Sequence, residues 1–273
     1  LREQQLTDIK QLQQAVEQYE GIDLKLNWDM LSSRDDKFQE DFLYYDADQL
    51  VGFLGLYRFG SKVEVCGMIH PAYRRKGIFT KLFKASLPSP NGARSVLLNT
   101  PGSSESGRAW LRSVSCTYEE SEYLMRWSGE SVPESAEEVS LRQSLPDDAE
   151  LKKQLDIVCF NFEPDEAKEY NDRLERDGYQ QEFYMIEAEG KTVGKIRIHR
   201  DQQRSEIYGF AVLPEFQGKG YGRKALQQAV GMEAGQGQSV YLDVQIENKH
   251  ALSLYTASGF HKESQQDYYR YQL

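Results

Sequence analysis

The chain has 273 residues, enough for one large domain or two of ordinary size. Its net charge of −10 leaves no positive field for nucleic acid or an anionic membrane, and no apolar run approaches the length of a membrane helix. Cys66, Cys116 and Cys159 lie far apart without C-x-x-C spacing, and the four histidines lack metal-ligand spacing, which predicts reduced thiols, no metal and a cytoplasmic protein.

In chain order, Leu6, Ile9, Leu12, Ala15, Val16 and Tyr19 form one apolar stripe, predicting an amphipathic helix over residues 1–20 that packs on a core. Ile69 to Leu82 holds a basic, glycine-containing turn, Arg74-Arg75-Lys76-Gly77, that opens a helical pattern. Tyr123 to Trp127 reads as a closing strand. The polar stretch Ser128 to Ser135, with Gly, Pro and three Ser, reads as a boundary, and Glu138 to Arg142 as an opening strand. Helices are predicted from Asp147 to Phe160 and from Asp165 to Arg176, the second with Pro164 at its start and Gly178 past its end. Ile207 to Val212 reads as a strand, and Phe216 to Ala225 as a glycine-rich turn opening a helix through Met232. Val240 to Val244 predicts a further strand. The expected division is residues 1–128, a linker over 129–137, and residues 138–273.

The two halves repeat one another at an offset of about 143 residues. Placing Arg74 on Gln217 also aligns Pro71 with Pro214 and Gly77 with Gly220. Asp46–Gly52 parallels Ala188–Gly194, and Ser95-Val96-x-Leu98 parallels Ser239-Val240-x-Leu242. The repeated unit is three strands, a turn, then helix, strand, helix and strand, an α/β plan around one open mixed sheet.

A strand, a glycine turn and a helix leave backbone N–H groups free at a positive helix end, a ready site for pyrophosphate. Gly220-Tyr221-Gly222-Arg223-Lys224-Ala225 fits the dinucleotide pattern G-x-G-x-x-G/A, with Asp243 downstream as a ribose-binding acid. Against that reading, five residues separate strand from glycines, and too little chain follows for the remaining strands. The wider pattern Val212-x-Pro214-x-x-Gln217-x-x-Gly220-x-Gly222 resembles the acetyl-CoA signature of the GNAT (Gcn5-related N-acetyltransferase) superfamily. The likeness continues through Asn248, Ala251, Tyr255 and Gly259-Phe260 and covers about residues 184–273.

The resemblance implies two GNAT-like domains in tandem, each an open, mixed, mostly antiparallel sheet flanked by helices. It implies transfer of an acetyl group from acetyl-CoA, the co-substrate, to a small-molecule or peptide amine by direct attack in a ternary complex. The backbone of Gln217, Gly218, Lys219, Gly220, Tyr221 and Gly222 would hold the pyrophosphate. Ala211 and Val212 would hold the acetyl carbonyl and pantetheine amides, and Asn248 would contact the pantetheine arm or the substrate. Glu206, eleven residues before Gln217, matches the family's general base. Burial at the start of an apolar strand would raise its pKa; the neighbouring Arg204 and Asp201 fit a solvated strand-end acid equally well. Tyr255 matches the tyrosine that protonates the departing thiolate, and its position also suits a core aromatic. Tyr170, Tyr179, Phe183 and Tyr184 would line an acceptor pocket or fill a strand core.

The first half departs from this set. Phe79 stands where the signature wants a small residue, Ser104 and Leu111 replace Asn248 and Tyr255, and counting eleven back from Arg74 gives Val63, with Glu64 beside it. The expectation is a degenerate first domain beside a catalytic second, in a monomer or homodimer. The alternatives are a non-catalytic acetyl-CoA-binding or structural module and, further off, a dinucleotide oxidoreductase.

Overall fold

The structure is a computed structural model and describes residues 1–34, 38–59, 61–87, 95–129 and 138–272. The chain runs α1 (Glu3–Glu20), α2 (Trp28–Ser32), β1 (Asp41–Asp46), β2 (Gln49–Phe59), β3 (Lys62–Ile69), α3 (Ile78–Ser86), β4 (Ser95–Pro101), α4 (Glu105–Leu111) and β5 (Cys116–Trp127). It continues as β6 (Val139–Gln143), α5 (Ala149–Phe160), α6 (Pro164–Arg176), β7 (Phe183–Ala188), β8 (Lys191–Asp201), β9 (Arg204–Val212), α7 (Tyr221–Ala234), β10 (Ser239–Gln245), α8 (Lys249–Ala257) and β11 (Phe260–Tyr271). Of the expected linker, residues 130–137 lie outside the described residues.

Two compact units result: Leu1–Ser121 with Ser264–Leu273, and Glu122–Glu263. This division differs from the one expected at residue 128, because the closing strands are exchanged. β5 leaves the first unit at Ser121, and its later residues pair antiparallel with β10, Tyr241 opposite Arg126 and Gln245 opposite Glu122. β11 in turn pairs antiparallel with β4 of the first unit, Gln266 opposite Pro101 and Arg270 opposite Leu97.

The first unit orders its strands β1-β2-β3-β4-β11, and the second β5-β10-β9-β8-β7-β6. All pairings are antiparallel except β3 with β4 and β9 with β10, which a crossover helix makes parallel. β2 is buried at Leu50, Val51, Phe53, Leu54 and Leu56, so its sequence is a continuous apolar run rather than an alternation. The stripe expected on α1 is present: Ile9, Leu12 and Val16 pack on Phe53, Tyr57, Cys66 and Met68. On the other face, Ile78, Leu82 and Phe83 of α3 meet Val51, Leu54, Val65 and Leu98. In the second unit α7 places Leu226, Ala229 and Val230 on Ile196, Ile207, Val240 and Leu242.

Both crossovers open a cleft in the same way. β3 and β4 pair only from Lys62↔Ser95 to Val65↔Leu98, and β9 and β10 only from Arg204↔Ser239 to Ile207↔Leu242. Beyond those points the two parallel strands part, and among the described residues the parallel ladder does not continue along Cys66–Ile69 or Gly209–Val212. Among the described residues, no helix is long and apolar enough to cross a membrane, and no His, Cys, Asp or Glu cluster suits a metal ion. The three cysteines are free thiols, Cys66 buried and the other two half-buried.

Candidate active site

The glycine turn sits at the wide end of the second unit's cleft. Gly218 has φ 74° and Gly220 φ 85°, left-handed values that favour glycine and turn successive N–H groups to one side. Added Cβ atoms at both positions would meet nothing within 4 Å, so the outer side of the turn is open. α7 then starts without a side-chain cap and without an acid in its first turn, leaving its first N–H groups to an anion. Gln217 Nε2 donates to the Val212 carbonyl at 2.8 Å and ties the turn to the strand end. Lys219 pairs with Glu189 at 3.3 Å, and the buried Tyr221 donates its hydroxyl to the same carboxylate. Both side chains are thereby held back, and the backbone of 217–222 faces outward. The outward N–H groups of this turn suit an anionic group.

Asn248 caps α8, its side chain accepting from Ala251 N at 3.0 Å. The N-x-x-A spacing is therefore a helix start, worth about 1 kcal/mol, and leaves the amide NH2 as the donor for a ligand. Tyr255 is 9 % exposed and packs against Phe260, 6.1 Å between ring centroids. Burial pushes its hydroxyl up to about 12, so the phenol stays protonated throughout the neutral range.

Glu206 lies at the narrow end of the cleft, on the face that α5 and α6 cover. Arg204 Nε reaches one of its oxygens at 2.5 Å, and Tyr208 donates its hydroxyl to the other. The side chain is 26 % exposed, between the solvated and buried readings of the sequence. Between Tyr208 and Ala211 the strand bulges: Lys195 faces Ala211 and Arg197 faces Tyr208, with Gly209 at φ 53° as the extra residue. The bulge reverses the alternation, so Glu206, Tyr208 and Ala211 share one face while Phe210 and Val212 turn toward α7.

Sequence reasoning missed what surrounds Glu206 on that face. Arg197 is 5 % exposed and donates to Glu182 at 2.7 Å, and His199 Nδ1 meets the other Glu182 oxygen at 2.6 Å. Burial pushes the Glu182 carboxyl up, but the His199 hydrogen bond and the Arg197 charge outweigh it, and the net shift is downward. The Arg197 guanidinium lies over the Tyr179 ring at 4.7 Å and the Tyr208 ring at 5.3 Å. Beneath them Lys195 is 1 % exposed and bonded to Asp156 at 2.6 Å, which also accepts from Asn171 at 2.8 Å. The signal was a basic residue at every second position, Lys195, Arg197 and His199, with Ile196 and Ile198 between them.

The four aromatics expected at the acceptor pocket separate. Tyr170 and Tyr179 join the Arg197 group, with burial raising the Tyr170 hydroxyl. Phe183 is core, 3 % exposed under Lys152 and Lys195, and Tyr184 packs on the opposite face and accepts from Arg200.

The first unit repeats the turn. Arg75 has φ 63° and Gly77 φ 74°, and Arg74 Nε donates to the Ile69 carbonyl at 3.2 Å, matching Gln217 and Val212. Ser104 caps α4 as Asn248 caps α8, accepting from Gly107 N at 3.1 Å. The register changes one expectation. β3 has no bulge, so Glu64, not Val63, lies where Glu206 does: Tyr57↔Glu64↔Leu97 matches His199↔Glu206↔Tyr241. Phe79 is likewise part of an exchange. Its ring lies over Gly67, where a Cβ would come within 2.7 Å, whereas in the second unit the ring belongs to strand residue Phe210 and the glycine is Gly222. Leu111, 5 % exposed, supplies no phenol at the Tyr255 position.

Residues 149–260 match the Acetyltransferase (GNAT) family. The chain is 26 % identical over 235 residues to the mycothiol acetyltransferase of Streptomyces coelicolor, covering 80 % of this chain and 75 % of the relative. In fold it is similar to a GCN5-related N-acetyltransferase from Sphaerobacter thermophilus, with TM-score 0.78 and 19 % identity over 96 % of this chain and 91 % of that one. A tandem GNAT protein from the clavulanic acid biosynthesis pathway gives TM-score 0.71 and 15 % identity, over 97 % and 94 %.

Proposed function

This chain carries an acetyltransferase domain of the GNAT family in a tandem GNAT fold, and from that premise we propose that its second unit acetylates an amine by direct attack in a ternary complex. One observation carries the reading: the open glycine turn, the uncapped start of α7 and the stretch Gly209–Val212, beyond the end of the β9–β10 ladder, lie in sequence along a single cleft. Acetyl-CoA supplies the activated acyl group. The amides of 217–222 bind the pyrophosphate, and Ala211 and Val212 align the pantetheine arm as an added strand would be aligned.

Glu206 takes the proton that the amine gives up, through water. Tyr208 and Arg204 hold its carboxylate in place, and Arg197 and Glu182 fix the surrounding wall. Tyr255 supplies a proton to the departing thiolate from a site dry enough to keep the phenol neutral. Asn248 offers its amide hydrogens to the arm once its oxygen has capped α8. Calorimetry with acetyl-CoA followed by steady-state assay over a panel of amines tests the reading. Tyr255→Phe is expected to lower kcat with little change in KM for acetyl-CoA; an unchanged kcat removes Tyr255 from the mechanism, and absence of any coenzyme binding removes the proposal.

A further inference from the structure

In the second unit His199 of β8 stands directly opposite Glu206 of β9, and the two side chains leave the same face about 5 Å apart at Cβ. Arg197↔Tyr208 and Asp201↔Arg204 are the neighbouring pairs on that face. Glu182 and Tyr179 reach it from the turn before β7. One Glu182 oxygen accepts from His199 Nδ1 at 2.6 Å and the other from Arg197 Nε at 2.7 Å. The Tyr179 ring stands edge-on to the imidazole, 6.2 Å between centroids. Position and tilt of the histidine ring are thereby set from two sides.

The same contact sets where the imidazole proton sits. Burial pushes the Glu182 carboxyl up, but its partners bring the net shift below the usual range, so it is a carboxylate at neutral pH and only accepts. Nδ1 therefore carries the hydrogen, and the basic lone pair of the neutral ring is on Nε2. The His199 side chain is 23 % exposed and that of Glu206 26 %, so both exchange protons with solvent. The first unit lacks this arrangement. Glu64 occupies the register of Glu206, but opposite it is Tyr57, fully buried, with its hydroxyl pushed well up by burial and no base to offer.

We propose that His199, positioned by Glu182, is a second proton acceptor in acetyl transfer, an inference that rests on the function proposed above for the second unit. An ammonium substrate has two protons to lose on its way to an amide, and the Glu206 carboxylate holds one. Nε2 takes the first from the arriving ammonium, and the imidazolium releases it to solvent. The amine nitrogen then bonds to the acetyl carbon, the C–S bond breaks with its electron pair on sulfur, and the second proton passes to Glu206 and on to solvent. The thiolate takes the Tyr255 proton, which solvent replaces, so one proton is released in all.

Two measurements test this role. Long-range proton–nitrogen spectra of the full chain with labelled histidine, His199 being assigned through His199→Asn, read the ring without substrate. The neutral ring is expected to be protonated at Nδ1. Its titration midpoint is expected to fall by about 0.5 pH unit or more in Glu206→Gln, because a nearby carboxylate favours imidazolium. A ring protonated at Nε2, or an unmoved midpoint, overturns the proposal. The second measurement compares acetylation of ethylamine, an ammonium ion near pH 7.5, with that of the weakly basic 2,2,2-trifluoroethylamine, which arrives neutral. His199→Asn keeps a donor for Glu182 and removes the base. It is expected to lower kcat/KM about tenfold or more for ethylamine and less than about twofold for trifluoroethylamine, with KM for acetyl-CoA unchanged. His199→Gln provides a second variant should the first fold poorly. Equal losses for both amines overturn the proposal and mark a structural histidine. A wild type that acetylates no amine ends the acetyl-transfer function and this role together, whereas an active wild type with the wrong ring tautomer ends this role alone.

Discussion

The same three pairs of sheet positions are filled with different chemistry in the two units, although both place a glutamate, Glu64 or Glu206, in the third. On β2 and β3 they are Phe53 with Met68, Gly55 with Cys66, and Tyr57 with Glu64; on β8 and β9 they are Lys195 with Ala211, Arg197 with Tyr208, and His199 with Glu206. In the first unit α1 lies on this face with Ile9, Leu12 and Val16, and the result is an apolar core that buries Tyr57 and Cys66 and pushes both of their pKa values up. In the second unit α5 and α6 bring Asp156, Tyr170 and Asn171, and the face is a network of charges. One backbone thus supports either a hydrophobic support or a polar chemical wall. The difference lies in what the covering helices present, since a buried charge survives only where a partner meets it.

Four experiments break or sharpen that contrast. The largest effect is expected from Asp156→Ala, which leaves Lys195 buried without its carboxylate. Burial already lowers the Lys195 pKa against the opposing pull of Asp156, and loss of the partner should cost about 3–5 kcal/mol in denaturant unfolding. A loss below 1 kcal/mol would mean that the pair is not what holds α5 to the sheet. Next, Glu206→Gln should lower kcat/KM about a hundredfold, or about 2.7 kcal/mol, while Glu64→Gln at the same register in the first unit leaves it within about twofold. Equal losses from both substitutions would erase the functional distinction between the units.

Tyr255 gives a smaller effect, read against pH. Its folded pKa is raised, to about 12, so the native state holds this proton longer than the unfolded chain does. Its contribution is complete below pH 10 and falls as pH rises from there toward 12, by at most about 2–3 kcal/mol. Thermal melts from pH 8 to 11.5 should therefore show wild type losing stability relative to Tyr255→Phe toward the alkaline end. Parallel curves would place the phenol in a wetter site. The smallest effect is at the turn. Arg75 holds a left-handed φ of 63° where the second unit has Gly218. Arg75→Gly should stabilise the first unit by about 1 kcal/mol or less, and Gly218→Arg should destabilise the second by a similar amount. Differential scanning calorimetry that registers the two changes with the same sign would contradict the equivalence of the turns.

Much of the architecture was legible in the residues. The repeat, the two glycine turns, the helices from Asp147 and Pro164, and the stripe on α1 all rest on local patterns: apolar period, capping residues and proline placement. Such patterns are properties of neighbours in sequence, and a string contains them. The glycine turn from Gln217 to Gly222 and the start of α7 were legible for the same reason. The position of Glu64 was hidden by a single residue. A constant offset carries no trace of the bulge at Gly209, which appears only when strands are laid side by side.

The sequence by itself determined the kind of unit, its duplication, and a glycine turn with an uncapped helix start in the second half. Only the tertiary structure decided where the closing strands go, because β5 and β11 are alike in local pattern and their partners are chosen by contacts more than a hundred residues away. Tertiary structure also decided the character of the two faces. Lys195, Arg197 and His199 acquire meaning when Asp156 and Glu182 arrive from other elements, and Glu20 gains its partner when α1 brings it to Arg74. Periodicity fixes which way a side chain points; the partner it meets, and so the energy of its charge, depends on the fold.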